Sequence, residues 1–287
     1  LSQATGPEDG HWKPFAQQSW FATKEKKRHP LDLGAVSANQ EGDLEARWKQ
    51  FQEASDAGDF QEALSWAKGF LSSEEDRTFF RQKSLQYALD DTFQGGHKFL
   101  YLFQSWQLAE SLKWNHSEEI LCPALHFLVV APKDRTLSEQ IRDFSRGSLS
   151  SLLDNEGSLS SEHYLDAERA LLFGDRRQEV LNALTALAHA GADLDAVYEV
   201  LLVAAAQALS NSRAGDWIWP MRAFHLCFSL QQWSALDPEK KTYALAMAAV
   251  VLHQASHQSR EMDHNRQVDD LARELCPVNP VSVLRTV

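Results

Sequence analysis

Cysteine is scarce in this 287-residue chain, and the three present, Cys122, Cys227 and Cys276, share no recurrent spacing. So small and odd a set encodes neither a disulfide framework nor a cysteine-held zinc or iron–sulfur site, and buried thiols are the simplest reading. Long apolar runs are missing too. The longest, "LLVAAAQAL", is interrupted by Gln207 and followed by "SNSRAGD", short of the roughly 18–20 residues a membrane span needs. No membrane span is expected, and the chain reads as soluble. Positive charge is in deficit: 28 Lys and Arg stand against 40 Asp and Glu, a formal charge of −12. Such a surface repels phosphate backbones and anionic lipid, so nucleic acid is not an expected partner. The one basic run, "KEKKRH" at 24–29, reads as a solvated arm. Glycine-rich phosphate loops, a Gly-x-Ser-x-Gly elbow, a zincin motif and a Rieske-type Cys-x-His pair are absent. Nucleotide binding, serine hydrolase chemistry and a resident iron–sulfur cluster are therefore disfavoured.

What is present is helix. With 44% hydrophobic and 24% charged residues, the composition is that of a folded globular protein. Residues 1–43 are punctuated by Gly6, Pro7, Gly10, Pro14, Pro30, Gly34 and Gly42 and read as an irregular N-terminal arm. Trp12, Phe15, Trp20 and Phe21 make that arm apolar enough to dock. From Asp43 onward, Leu44, Trp48, Phe51 and Ala54 recur at helical steps up to Gly58. A second stripe of Phe60, Ala63, Leu64, Ala67 and Leu71 follows the acceptable N-cap Asp59. Helices are then expected near 74–92, 98–113 and 117–131. The start at Leu1 rather than Met is compatible with a removed export signal, a transit peptide or a cloning boundary, which leaves the compartment open.

The phrase "GDFQEAL" returns as "GDRRQEVL", with the two Gln-Glu pairs 117 residues apart (178 − 61). The order around it returns as well. A helix, Gly-Asp, Gln-Glu, an apolar helix, an acidic turn and a helix ending Ala-Leu are followed by a Gly-containing turn, an aromatic helix and a final apolar helix. Ala88-Leu89 and Ala208-Leu209 keep nearly the same offset, 120 residues (208 − 88). This predicts an all-α, internally duplicated protein. Two units of about five helices, 44–131 and 161–275, would flank a Ser/Gly-rich connector at 132–160, with a tail at 276–287. Packed with pseudo-twofold symmetry, they would leave a cleft where the aromatic helices meet.

That cleft is the expected site. Phe99, Phe103 and Trp106 on one aromatic helix and Trp217, Trp219 and Phe224 on the other would line it for a flat hydrophobic ligand. His97, His126, His225 and His253 would converge there with Glu110 as proton-transfer or metal groups. His253, His257, Glu261 and His264 follow one helix face, a geometry that permits zinc or non-haem iron. Each histidine also admits the reading of a hydrogen-bonded core or solvated residue.

The run from "GDRRQEVLNALTALAHAGADLDAVYEVLLVAAAQAL" through "GDWIWPMRAFHLCFSLQQW" to "AAVVLHQAS" resembles the all-helical questin oxidase-like domain. It is also similar to helical regions that accompany Rieske ferredoxin modules. The likeness covers 165–257 and, more loosely, 45–131. It rests on Asp216-Trp217 and His253; a further histidine expected near Met221-Arg222 is met one turn later, at His225. The resemblance implies an oxidoreductase, an oxygenase of Baeyer–Villiger type acting on a flat aromatic molecule. The rival reading is a non-catalytic helical interaction module, an α-solenoid or tetratricopeptide-like scaffold that grips a protein partner. The Trp48, Ala54, Gly58, Ala63 and Ala67 pattern supports it for one helix pair.

Overall fold

The computed structural model describes residues 33–149, 152, 155, 157, 159–212, 217–236 and 240–258. Trp12, Trp20, the basic run at 24–29, Asp216, Glu261, His264, Cys276 and the tail at 276–287 lie outside them. A 3-10 turn at Leu33–Ala35 precedes eleven α-helices, and no strand occurs among the described residues. The helices belong to one compact unit. None of them is long and apolar enough to cross a membrane.

The first five helices are α1 (Leu44–Ala57), α2 (Phe60–Phe70), α3 (Glu74–Leu89), α4 (His97–Ser111) and α5 (Ser117–Val130). Their starts follow from local chemistry. Asp43, Asp59 and Ser73 accept the backbone N–H groups of Ala46, Glu62 and Asp76, each a cap that stabilises its helix by about 1 kcal/mol. Gly58 closes α1 in the left-handed region, φ 74°, where a Cβ would be strained. The core of this half is aromatic. Phe80 stacks on Phe70 at 4.8 Å and meets Phe51 and Trp106 edge-on at 5.0 and 5.9 Å.

The chain continues through α6 (Ser138–Ser148) into α7 (Ser161–Phe173), α8 (Arg177–His189), α9 (Leu194–Ser210), α10 (Ile218–Leu236) and α11 (Lys241–Gln258). The helix pairing of the first half recurs in the second. As α1 packs on α2, α3 and α5, so α7 packs on α8, α9 and α11; α2 meets α5 as α8 meets α11; α3–α4 and α4–α5 recur as α9–α10 and α10–α11. This recurrence is what duplication of the unit predicts. In the second half α11 is the axis. Ala244, Leu245, Ala246, Met247, Ala248 and Ala249 are all within 1% of full burial, as a helix apolar all round must be. Their small side chains let α6, α7, α8, α9 and α10 all pack on it.

The halves meet along α4 and α10. Phe99 packs edge-on against Trp233 at 5.7 Å, and Gln107 donates to Gln232 at 2.9 Å. Helix α3 stops at Leu89, short of the expected 92, because the next residues are engaged elsewhere. Asp90 accepts from Tyr243 of α11 at 2.7 Å and from Gln86 and Arg142 at 2.8 Å each. Asp91 pairs with Lys98 at 2.6 Å, both fully buried. Lys98 also donates to the carbonyls of Ala131 and Pro132, while Asp91 accepts the N–H groups of Phe93 and Asp134. Every charge in this pair is answered, which is what makes deep burial tolerable.

The connector is more ordered than its Ser/Gly content suggests. Lys133 and Arg135 bind Asp56 at 3.6 and 3.1 Å, Lys133 donates to the Ser55 carbonyl, and α6 packs on α11. Leu137, Ile141, Leu149 and Leu152 of this stretch are buried in the core, with Phe144 packed against it, so α6 is an amphipathic helix that the Ser/Gly content masked.

Candidate functional site

At the edge of the α4–α10 seam lies a cleft of ≈ 460 Å³, within the range of small-molecule sites. Five separate segments build it. The loop before α4 supplies Thr92, Gln94 and Gly95; the connector supplies Asp134; α8 supplies Arg177. The first turns of α10 give Trp219, Arg222 and Ala223, and the last turns of α11 give Val251, His253, Gln254, Ala255 and His257. Gly96 ends the loop at φ 75°, and a Cβ there would lie 2.9 Å from Leu226. Only glycine lets the loop approach α10 this closely. Pro220 falls in the first turn of α10, where no intrahelical N–H bond is lost.

The two histidines of α11 sit one turn apart, their rings 4.4 Å apart and near-perpendicular. The Nε2 of His257 lies 2.7 Å from the Gly174 carbonyl, so it carries the proton and donates. His253 is buried, and its Nδ1 has no hydrogen-bond partner. Burial, then the neighbouring His257, holds its pKa below the ordinary histidine value, against the backbone of Leu171 and Glu179. His253 is thus held neutral in the cleft wall, with its Nδ1 shut off from solvent.

Of the four candidate proton-transfer histidines, His253 alone lines the cleft. His97 lies half-buried at the start of α4, its Nδ1 without a partner, edge-on to Phe127 at 5.5 Å. Burial, then the charge of Arg222, pulls its pKa down to about 4. His126 is exposed on α5 against Phe60, at 4.7 Å. His225 is exposed on α10, one turn beyond the lining residue Arg222. Glu110 binds Arg81 at 3.1 Å. The expected convergence is therefore corrected to one histidine and its neighbour His257.

The aromatic lining is corrected as well. Phe99, Phe103 and Trp106 are fully buried core residues; Phe99 packs on Trp233 in the α4–α10 seam, Phe103 stacks on Phe99, and Trp106 packs on Phe80 within the first half. Phe224 packs against the core and Trp217 is 46% exposed. Trp219 is the one aromatic residue of the six in the cleft wall.

Of the four residues expected to hold a metal, only His253 and His257 lie among the described residues. Among the described residues no group of three His, Cys, Asp or Glu is placed to hold an ion. His257 spends its Nε2 on Gly174, and Glu261 and His264 lie outside the described residues.

The two arginines of the wall were not among the candidates read from the sequence. Arg177 is in the repeated phrase, and Arg222 stands where the resemblance places a histidine. Arg222 is half-buried and lies over the Trp219 ring at 5.3 Å. Burial lowers its pKa, yet a guanidinium remains charged at any physiological pH. No family model, curated protein or solved structure matches this chain.

Proposed function

We propose that the cleft between the halves is the functional site of an enzyme acting on a small organic molecule, with His253 as its proton-transfer group. The observation that carries this reading is the buried, neutral imidazole of His253 in the wall of a ligand-sized cleft. A neutral imidazole at the edge of a low-dielectric pocket can accept a proton from a bound substrate. Trp219, Val251 and Ala255 offer a flat apolar wall, and Thr92, Gln94 and Gln254 offer hydrogen bonds. Oxidation of a flat aromatic molecule is the reaction the questin oxidase-like resemblance adds.

Native mass spectrometry of the purified chain for a retained organic ligand, followed by oxygen uptake with hydroxylated polycyclic aromatics, tests the proposal. The expected outcome is retention and uptake in the wild type, both lost in His253→Ala. Unchanged ligand affinity and turnover in that variant would overturn it.

A second reading has its own observation. Trp217, Ile218 and Phe228 are 46%, 39% and 48% exposed at the start and along the outer face of α10, apolar area suited to a protein partner. A filled cleft and a partner-dependent loss of Trp217 exposure would favour this interaction module.

A further inference from the structure

We propose that the ligand of this cleft carries an anionic group, a carboxylate or phosphate, held by Arg222 and Arg177. The proposal rests on the reading of the cleft as the functional site and names the class of molecule it takes.

In a chain with 40 acidic and 28 basic residues, most basic side chains that point into the fold meet a carboxylate: Arg47 on Asp76, Lys68 on Glu118, Lys98 on Asp91, Arg142 on Asp90. The two arginines of the cleft do not. Among the described residues no carboxylate lies within ion-pair distance of either. Arg177 makes only a long 3.5 Å contact to the amide oxygen of Gln140, and Arg222 rests on the Trp219 ring. Leaving a partly desolvated guanidinium unpaired is costly, and both line the same ≈ 460 Å³ space.

The negative charge nearest to hand is already used. Asp134, the one carboxylate of the wall, accepts the Thr136 hydroxyl at 2.8 Å and the Thr136 N–H at 3.3 Å. Its backbone is tied to Asp91 and Thr92. Two permanent positive charges therefore face one engaged carboxylate and a neutral His253, in a protein that is otherwise acidic. A planar carboxylate or a phosphate matches the fork of a guanidinium. Trp219 holds Arg222 from below and limits the positions the fork can take, so orientation is built in before a ligand arrives.

Isothermal titration of the full chain with benzoate, benzamide and inorganic phosphate tests this. The expected result is binding of benzoate or phosphate, with benzamide about tenfold weaker or worse, the loss of one charge-assisted pair. Arg222→Gln should abolish the preference for the anion, and Arg222→Lys should restore part of it, with circular dichroism and melting unchanged in both. Benzoate alone identifies an organic carboxylate and phosphate alone a phosphoryl group. Equal affinity for benzoate and benzamide would overturn the anion subsite and leave the cleft reading intact. So would an absence of binding by either anion, or anion binding indifferent to Arg222→Gln. The cleft reading itself fails separately, through the His253→Ala result above.

Discussion

The two halves of this protein run through the same helix order on different cores. Around α3 the first half stacks Phe51, Phe70, Phe80 and Trp106, large rings that interlock and leave α1–α5 closed upon themselves. The second half is built on α11, whose middle is mostly alanine, so five helices crowd one axis. Beyond that packed middle, the last turns of α11 carry His253 and His257 out to the cleft wall. The repeated phrase diverges in step. In "GDFQE" Asp59 caps α2 and Glu62 accepts the Trp66 indole N–H at 2.7 Å. "GDRRQE" has one more residue. The cap position passes to Arg176, which makes no side-chain cap bond; Glu179 turns back to accept the Asp175 N–H at 3.2 Å, and Arg177 reaches the cleft. With one more residue in the phrase, a turn that is capped in the first half becomes, in the second, a turn whose Arg177 lines the cleft.

The contrast in cores yields the largest expected effect. Phe80→Ala should destabilise by about 3–5 kcal/mol, the cost of losing a buried ring and leaving a cavity. Ala248→Leu should do its damage in the opposite sense, by overpacking, at about 1–3 kcal/mol. Urea denaturation of both variants reads these values. An Ala248→Leu protein as stable as wild type would show that α11 is not tightly surrounded.

A pH effect of intermediate size separates the halves differently. The folded pKa of His97 is near 4, below the roughly 6.5 of an unfolded histidine. The unfolded chain then binds more protons, so His97 favours folding fully above pH 6.5 and loses that contribution as pH falls from 6.5 to 4. Its share is on the order of 3 kcal/mol at most, less solvent screening of the half-buried ring. His97→Phe should flatten the stability profile across this window, measured by denaturation at pH 7.5 and 5.

The smallest effect tests the repeated phrase itself. Asp59→Ala removes a cap and should cost about 1 kcal/mol. Asp175→Ala, whose side chain caps nothing, should stay within about 0.5 kcal/mol. Equal losses in thermal melting would mean that the added residue left the two turns equivalent.

Most of the helices, the cap Asp59 and the stop Gly58 were legible in the chain alone, because each rests on local chemistry, whereas α6 was read as connector. Leu44, Trp48, Phe51 and Ala54 recur with a turn of helix, Asp59 precedes its stripe, and Gly58 ends one. The scarcity of cysteine and the lack of a long apolar run likewise bounded the fold class. Tertiary structure alone decided which of these residues line the cleft. Whether Phe99 lines a cleft or fills a seam depends on how closely α4 approaches α10. The pairing of Lys98 with Asp91 and the wall of Arg177, Arg222 and His253 join segments far apart in sequence, and no period along the chain records a contact that forms only when those segments pack.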